Sequence, residues 1–176
     1  MDIVSHGLWG GLAFGRKNRR TFCLAFFYGV LPDLFSFGPF YVAVLLGLAE
    51  RPHFGHEPPD PSLIPAYVHR VYSVTHSLIV FLFAFALLWV VFRKPIWEAL
   101  AWGLHIVFDI FTHSYRFFPT PFLWPISDFK VNGWPWGMPA IFIPNLILLA
   151  LLYTWFFLRQ RRRADRSSMA PERHRR

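Results

Sequence analysis

Residues 138–158, MPAIFIPNLILLALLYTWFFL, contain no charged side chain. As an α-helix rising 1.5 Å per residue, this run covers roughly 31 Å, about the thickness of a bilayer's hydrocarbon core. Inside a bilayer, backbone N–H and C=O groups must be satisfied within the protein, which restricts the chain to helices or a closed barrel. Other apolar blocks accompany it. They occupy residues 3–14, 21–36, 66–92 and 96–115, with a shorter one at 40–49 after Gly38-Pro39. The blocks are continuous rather than alternating, which points to helices. Residues are 55% hydrophobic, and only 16% are charged, against about 25% in a soluble domain. The sequence therefore predicts an all-α, polytopic membrane helical bundle. About five helices span, and residues 40–49, too short to cross alone, form a re-entrant or interfacial segment.

The charges give the bundle an orientation. The net charge is +8, but the tail from Arg159 onward holds eight Arg against Asp165 and Glu172. A basic run directly after an apolar helix is a topology determinant or a contact with anionic lipid more often than a nucleic-acid patch, and no nucleic-acid partner is expected. Arg16, Lys17, Arg19, Arg20, Arg93, Lys94 and the tail arginines fall on one side of the bundle. Arg51, Arg70, Arg116 and Lys130 fall on the other. The positive-inside rule makes the first side cytoplasmic, with the C-terminus there. The chain divides into a membrane-embedded domain, 1–158, and a basic, unstructured cytoplasmic tail, 159–176. Cys23 is the only cysteine, so neither a disulfide nor a cysteine-based metal site forms within one chain. Residues 116–137, rich in Pro and Trp, read as an interfacial segment at headgroup level.

On this topology the polar residues of the apolar blocks gather in the outer half of the membrane. They are His6, Asp33, His69, His76, His105, Asp109 and His113. His105, Asp109 and His113 are spaced i, i+4, i+8 and His69 and His76 i, i+7, so each helix carries one polar stripe. An ionised Asp near the bilayer centre costs about 2.5–3.5 kcal/mol on insertion scales, so such residues face the bundle interior and pair. A divalent cation satisfies imidazole and carboxylate together: zinc first, with manganese or iron compatible. His69, His76, His105 and Asp109 are expected as the main ligands. His6, Asp33 and His113 are expected to complete a second or shared position. Thr75, Ser77, Thr112 and Ser114 flank the stripes as candidate supporting donors. His53, His56 and His174 read as solvated.

Four stretches, DIVSHGLWG, GVLPDL, HRVYSVTHSL and HIVFDIFTH, occur in an order that resembles the YdjM-like family of LexA-regulated, inner-membrane-associated metal-dependent hydrolases. The resemblance runs from about residue 1 to about 125. It implies a bacterial inner-membrane location, a link to the SOS response, and functional roles for His6, Asp33, His69, Arg70, Thr75, His76, Ser77, His105, Asp109 and Thr112. The family is also similar, in its His and Asp ligands on helices, to zinc-dependent phospholipase C. That implies phosphoester hydrolysis, with a phospholipid or other phosphodiester as substrate and membrane lipid as the partner. A glutamate ligand is not visible here. In this reading a metal-activated water attacks, Arg70 holds phosphate, and Asp33 or Asp109 acts as general base. Two other classes use the same residues. One is a small haem protein with two axial His, which leaves Asp33 and Asp109 without a role. The other is a metal transporter or regulator without hydrolase activity.

Overall fold

The computed structural model describes residues 1–52 and 63–168, and every regular element among them is helical. The order is α1 (Ile3–Phe14), α2 (Arg19–Leu45), α3 (Ala66–Thr75), α4 (Leu78–Phe92), a 3₁₀ turn (Trp97–Ala99) leading into α5 (Leu100–Thr112), and α6 (Pro139–Ser168). Local chemistry sets the starts. Asp2 caps α1 by accepting from the Ser5 N–H at 2.9 Å. Asn18 and Thr21 form a reciprocal capping box at α2.

α1 and α2 lie unusually close because the facing residues are small. A Cβ added at Gly29 would stand 2.6 Å from the His6 carbonyl oxygen, and one at Gly10 would stand 2.7 Å from that of Ala25. Small residues let membrane helices bring their backbones together. α5 packs against both α1 and α2, and α3 against α2. α6 meets α1 through polar clasps. The Trp9 indole N–H donates to Asn145 Oδ1, and Asn145 Nδ2 donates to Ser5 Oγ, both at 2.8 Å. The exterior is apolar: Leu82, Phe83, Val90 and Leu151 are all more than half exposed.

Several expectations change. Among the described residues, two helices are long and apolar enough to cross a membrane, Arg19–Leu45 and the Pro139–Arg159 part of α6. The number rises to three if α3 and α4, bent by 60° at their junction, form one broken span. The expected count of about five is therefore not reached. α1 and α5, at 12 and 13 residues, cover only about 18–20 Å of a roughly 30 Å core. Residues 40–45 are not a separate re-entrant segment but the end of α2, which runs through both Pro32 and Pro39. Proline removes one backbone hydrogen bond, and a membrane helix retains the rest where water does not compete. The Ser36 hydroxyl also donates to the Pro32 carbonyl at 2.6 Å, bracing the stretch between the prolines.

The block 66–92 is broken at His76-Ser77, where Ser77 caps α4 by accepting from Val80 N–H. Residues 116–137 do more than line an interface. The N–H groups of Gly133, Trp134 and Trp136 donate to the carbonyls of His113, Phe111 and Thr112 at 2.8–2.9 Å, closing the end of α5. The tail is helical as far as Ser168, consistent with the helix propensity of Arg, Gln and Ala. His53, His56 and His174 lie outside the described residues.

Candidate metal centre

Four side chains from three segments converge on one buried point. Asp33 comes from the middle of α2, His76 from the α3–α4 junction, and His105 and Asp109 from successive turns of α5. One donor atom from each lies within 4.8 Å of all the others. His105 Nε2 is 3.0 Å from His76 Nε2 and 3.2 Å from Asp109 Oδ2. His76 Nε2 is 3.4 Å from Asp33 Oδ1 and 3.5 Å from Asp109 Oδ2, and His105 Nε2 is 3.9 Å from Asp33 Oδ1. Ligands about 2.0–2.1 Å from a tetrahedral zinc stand roughly 3.3 Å apart, so the donors already have the spacing of such a shell.

The tautomers point the same way. His105 Nδ1 lies 2.7 Å from the Gly29 carbonyl oxygen, which only accepts, so Nδ1 carries the hydrogen. His76 Nδ1 likewise faces the Tyr72 carbonyl at 3.2 Å and the Thr75 hydroxyl at 3.0 Å. Both Nε2 atoms then present lone pairs to each other across 3.0 Å. Two acceptors cannot bond one another, so the contact needs either a second proton on one ring, facing the Asp33 and Asp109 carboxylates, or a cation between the two. Asp109 Oδ2 is buried and lacks a hydrogen-bond partner. A buried carboxylate oxygen left in this state is expensive unless it binds a proton or a metal. The donor set and its backbone anchoring therefore fit a divalent cation, with the outer hydrogen bonds fixing ring orientation.

The other oxygen of Asp109 serves a second group. Oδ1 is 2.9 Å from His6 Nε2 and 3.7 Å from His113 Nε2. The Met1 nitrogen lies against the same oxygen and donates to Thr112 Oγ1 at 3.0 Å. His113 Nδ1 faces the Phe118 carbonyl and the Tyr72 hydroxyl, each at 2.8 Å, so its Nε2 also points inward. His6 stacks on His105 with ring centroids 3.6 Å apart.

Six of the seven expected ligands thus gather around Asp109 or beside it. His69 does not join them; its ring stacks on Phe118 at 4.6 Å. Its i, i+7 relation to His76 shares a face but spans about 10 Å along the axis, more than one ion's shell covers. Arg70 is exposed on α3. Thr75 and Thr112 contact the centre directly, and the Thr75 hydroxyl also meets that of Ser36 at 2.9 Å. Ser77 donates to the Trp124 carbonyl.

Tyr72, Gly29 and Phe118 escaped the sequence reading. Tyr72 precedes His76 by four residues, and its ring stacks on it at 3.7 Å; that spacing was the available signal. Phe118, with φ 48°, adopts a left-handed backbone that is rare for a bulky residue. No local pattern announces it, nor the role of the Gly29 carbonyl.

Beside the centre opens an apolar cleft of about 940 Å³ whose lining includes Met1, Asp2, Asp33 and His113. The Asp33 side chain is 13% exposed, whereas Asp109, His76 and His105 are sealed. No curated protein and no solved structure matches the chain. The family model described as YdjM inner membrane protein matches residues 1–170. With a match over nearly its whole length, the chain belongs to the YdjM inner membrane protein family.

Proposed function

We propose that the protein is a multi-pass, membrane-embedded metal-dependent hydrolase that cleaves a phosphoester or related bond in a lipid-like substrate. The observation that carries this reading is the pair of facing imidazole Nε2 atoms, 3.0 Å apart, beside the unpartnered oxygen of Asp109. Zinc suits these donors best, with manganese or iron compatible. A divalent cation there supplies a Lewis acid that polarises a phosphoryl or carbonyl oxygen and lowers the pKa of water. Asp33, His76, His105 and Asp109 hold the cation. His6, His113 and the second oxygen of Asp109 offer a further position once the Met1 nitrogen that lies against that oxygen moves away. Asp33 is the ligand-set member open to the cleft, so its free oxygen can take the proton of an attacking water.

The arrangement of charges supports a cytoplasmic C-terminus and a centre in the outer half of the bilayer. Asp33 is fourteen residues beyond Arg19, about 21 Å along a helix that starts at the basic side. The test uses purified full-length protein and a panel of phospholipids and phosphodiesters. Zinc-dependent turnover, abolished by Asp109→Asn, is expected. Protein that holds zinc yet turns over none of the panel overturns the hydrolase reading. A Soret band in place of zinc would favour a haem protein.

A further inference from the structure

Where α3 gives way to α4, the chain leaves backbone groups that neither helix satisfies. The two helices meet at a bend of 60°. Carbonyls in the last turn of one helix and N–H groups in the first turn of the next have no intrahelical partner, and hydrocarbon supplies no water in their place. Other segments answer them here. The Leu78 N–H donates to the Phe122 carbonyl at 2.9 Å, and the Ser77 hydroxyl donates to that of Trp124. The Thr75 carbonyl accepts from the indole N–H of Trp102, on α5, at 2.7 Å. The Trp102 ring also meets Phe81 of α4 edge-on, with centroids 5.6 Å apart. One side chain therefore touches both arms of the bend. Thr75 immediately precedes His76, and Trp102 precedes His105 by three residues, about 4.5 Å along the axis. With Asp109 at i+7, Trp102, His105 and Asp109 share one face of α5. The bond thus ties together the two segments whose histidine Nε2 atoms stand 3.0 Å apart.

We propose that Trp102 is a positioning residue: its indole N–H holds the α3–α4 bend against α5 and so sets His76 beside His105 and Asp109. It ligates nothing itself. Contacts within α3 orient the His76 ring. Tyr72 stacks on it at 3.7 Å, and the Tyr72 carbonyl and Thr75 hydroxyl face its Nδ1. Those contacts do not set where α3 stands relative to α5. Trp102 does, and from the face of α5 that carries two of the ligands. Gly103 lets α5 come this near to α4, since a Cβ there would stand 2.7 Å from the Phe81 ring. The inference rests on the cation reading of the centre and requires no hydrolysis.

The experiment titrates full-length protein in nanodiscs with zinc, against a competing chelator, and with cobalt(II), whose visible bands report the ligand shell. Trp102→Phe keeps an aromatic ring against Phe81 and removes the N–H. Tyr153→Phe is the control. It removes a bond of the same kind, from the Tyr153 hydroxyl to the Leu8 carbonyl at 2.8 Å, on a helix that supplies no ligand. Trp102→Phe is expected to weaken zinc binding by about 10–100-fold, the usual cost of losing a group that orients a ligand, and to change the cobalt bands. Tyr153→Phe is expected to leave both as in wild type. Should Trp102→Phe fail to fold, wild type alone decides. By reciprocal linkage, zinc is expected to slow hydrogen exchange at the Trp102 indole N–H more than at that of Trp9, which bonds Asn145. Wild-type affinity in Trp102→Phe, equal losses in both variants, or Trp102 exchange that zinc does not slow overturns the positioning role and leaves the centre. Wild type that binds neither metal overturns the cation reading, and this role with it. Weakened zinc binding in a protein that turns over no substrate upholds the role and removes the hydrolase alone.

Discussion

Replacing Asp109 by Asn tests whether its carboxylate holds a cation. The carboxylate is fully buried and touches four imidazoles, with Oδ1 2.9 Å from His6 and 3.7 Å from His113, and Oδ2 3.2 Å from His105 and 3.5 Å from His76. Asn conserves shape and keeps an oxygen for Thr112, but removes the charge. In the metal-free protein the carboxylate already pairs with the Met1 ammonium, so Asp109→Asn leaves that ammonium without its buried partner and should lower apo stability as well. Cation binding should collapse. At zinc one hundred times the dissociation constant, linkage stabilises the folded state by about 2.7 kcal/mol. For a chain of this size each kcal/mol moves the midpoint by about 2–4 °C, so wild type should gain roughly 5–11 °C on adding zinc. Asp109→Asn should gain almost none. Thermal unfolding in detergent, with zinc and with chelator, measures both quantities. A full zinc shift in the variant would refute the reasoning.

Other perturbations test separate joints of the centre. Gly29→Ala puts a methyl 2.6 Å from the His6 carbonyl oxygen, so it should destabilise the protein by about 1–3 kcal/mol in chemical unfolding and weaken zinc binding as α1 shifts. His69→Ala should leave zinc content by elemental analysis unchanged, because the ring stacks on Phe118, whereas His76→Ala should abolish it. Zinc occupancy should fall as the pH drops, since a proton on Nε2 of His76 or His105 removes the lone pair the metal needs. Occupancy measured after equilibrium dialysis over a pH series checks this, and occupancy that rises on acidification would contradict the ligand assignment.

Helical content and the gathering of His6, Asp33, His76, His105, Asp109 and His113 were readable because both rest on local spacing and on the expense of polar groups in hydrocarbon. The errors share a different origin. Assigning His69 to the centre treated a shared helix face as a shared position, though two turns separate it from His76. Pro39 was read as a break because its solution behaviour was applied to a helix shielded from water. The junction at His76-Ser77 was missed because the apolar run from 66 to 92 hides it, and Ser77 is a cap only once α4 is known to start there. Phe118, Tyr72 and the Gly29 carbonyl act through contacts between segments far apart in sequence, which no periodicity encodes.

The close seating of α1 on α2 bears on how such a centre is built during synthesis. His6 and Asp33 are made first, and the glycine contacts at Gly10 and Gly29 bring their helices together through backbone surfaces alone. This pair presents an imidazole and a carboxylate before their counterparts exist. His76 arrives next on its bent junction, and α5 brings His105 and Asp109 last, wedging between helices already in place. Among the described residues α6 adds no ligand; it fastens to α1 through Asn145 and Tyr153, and the Tyr153 ring also meets Phe22 of α2. The centre thus ties its polar groups to correct assembly: a bundle lacking α5, or holding it in the wrong register, leaves His6 and Asp33 without the partners that offset their burial.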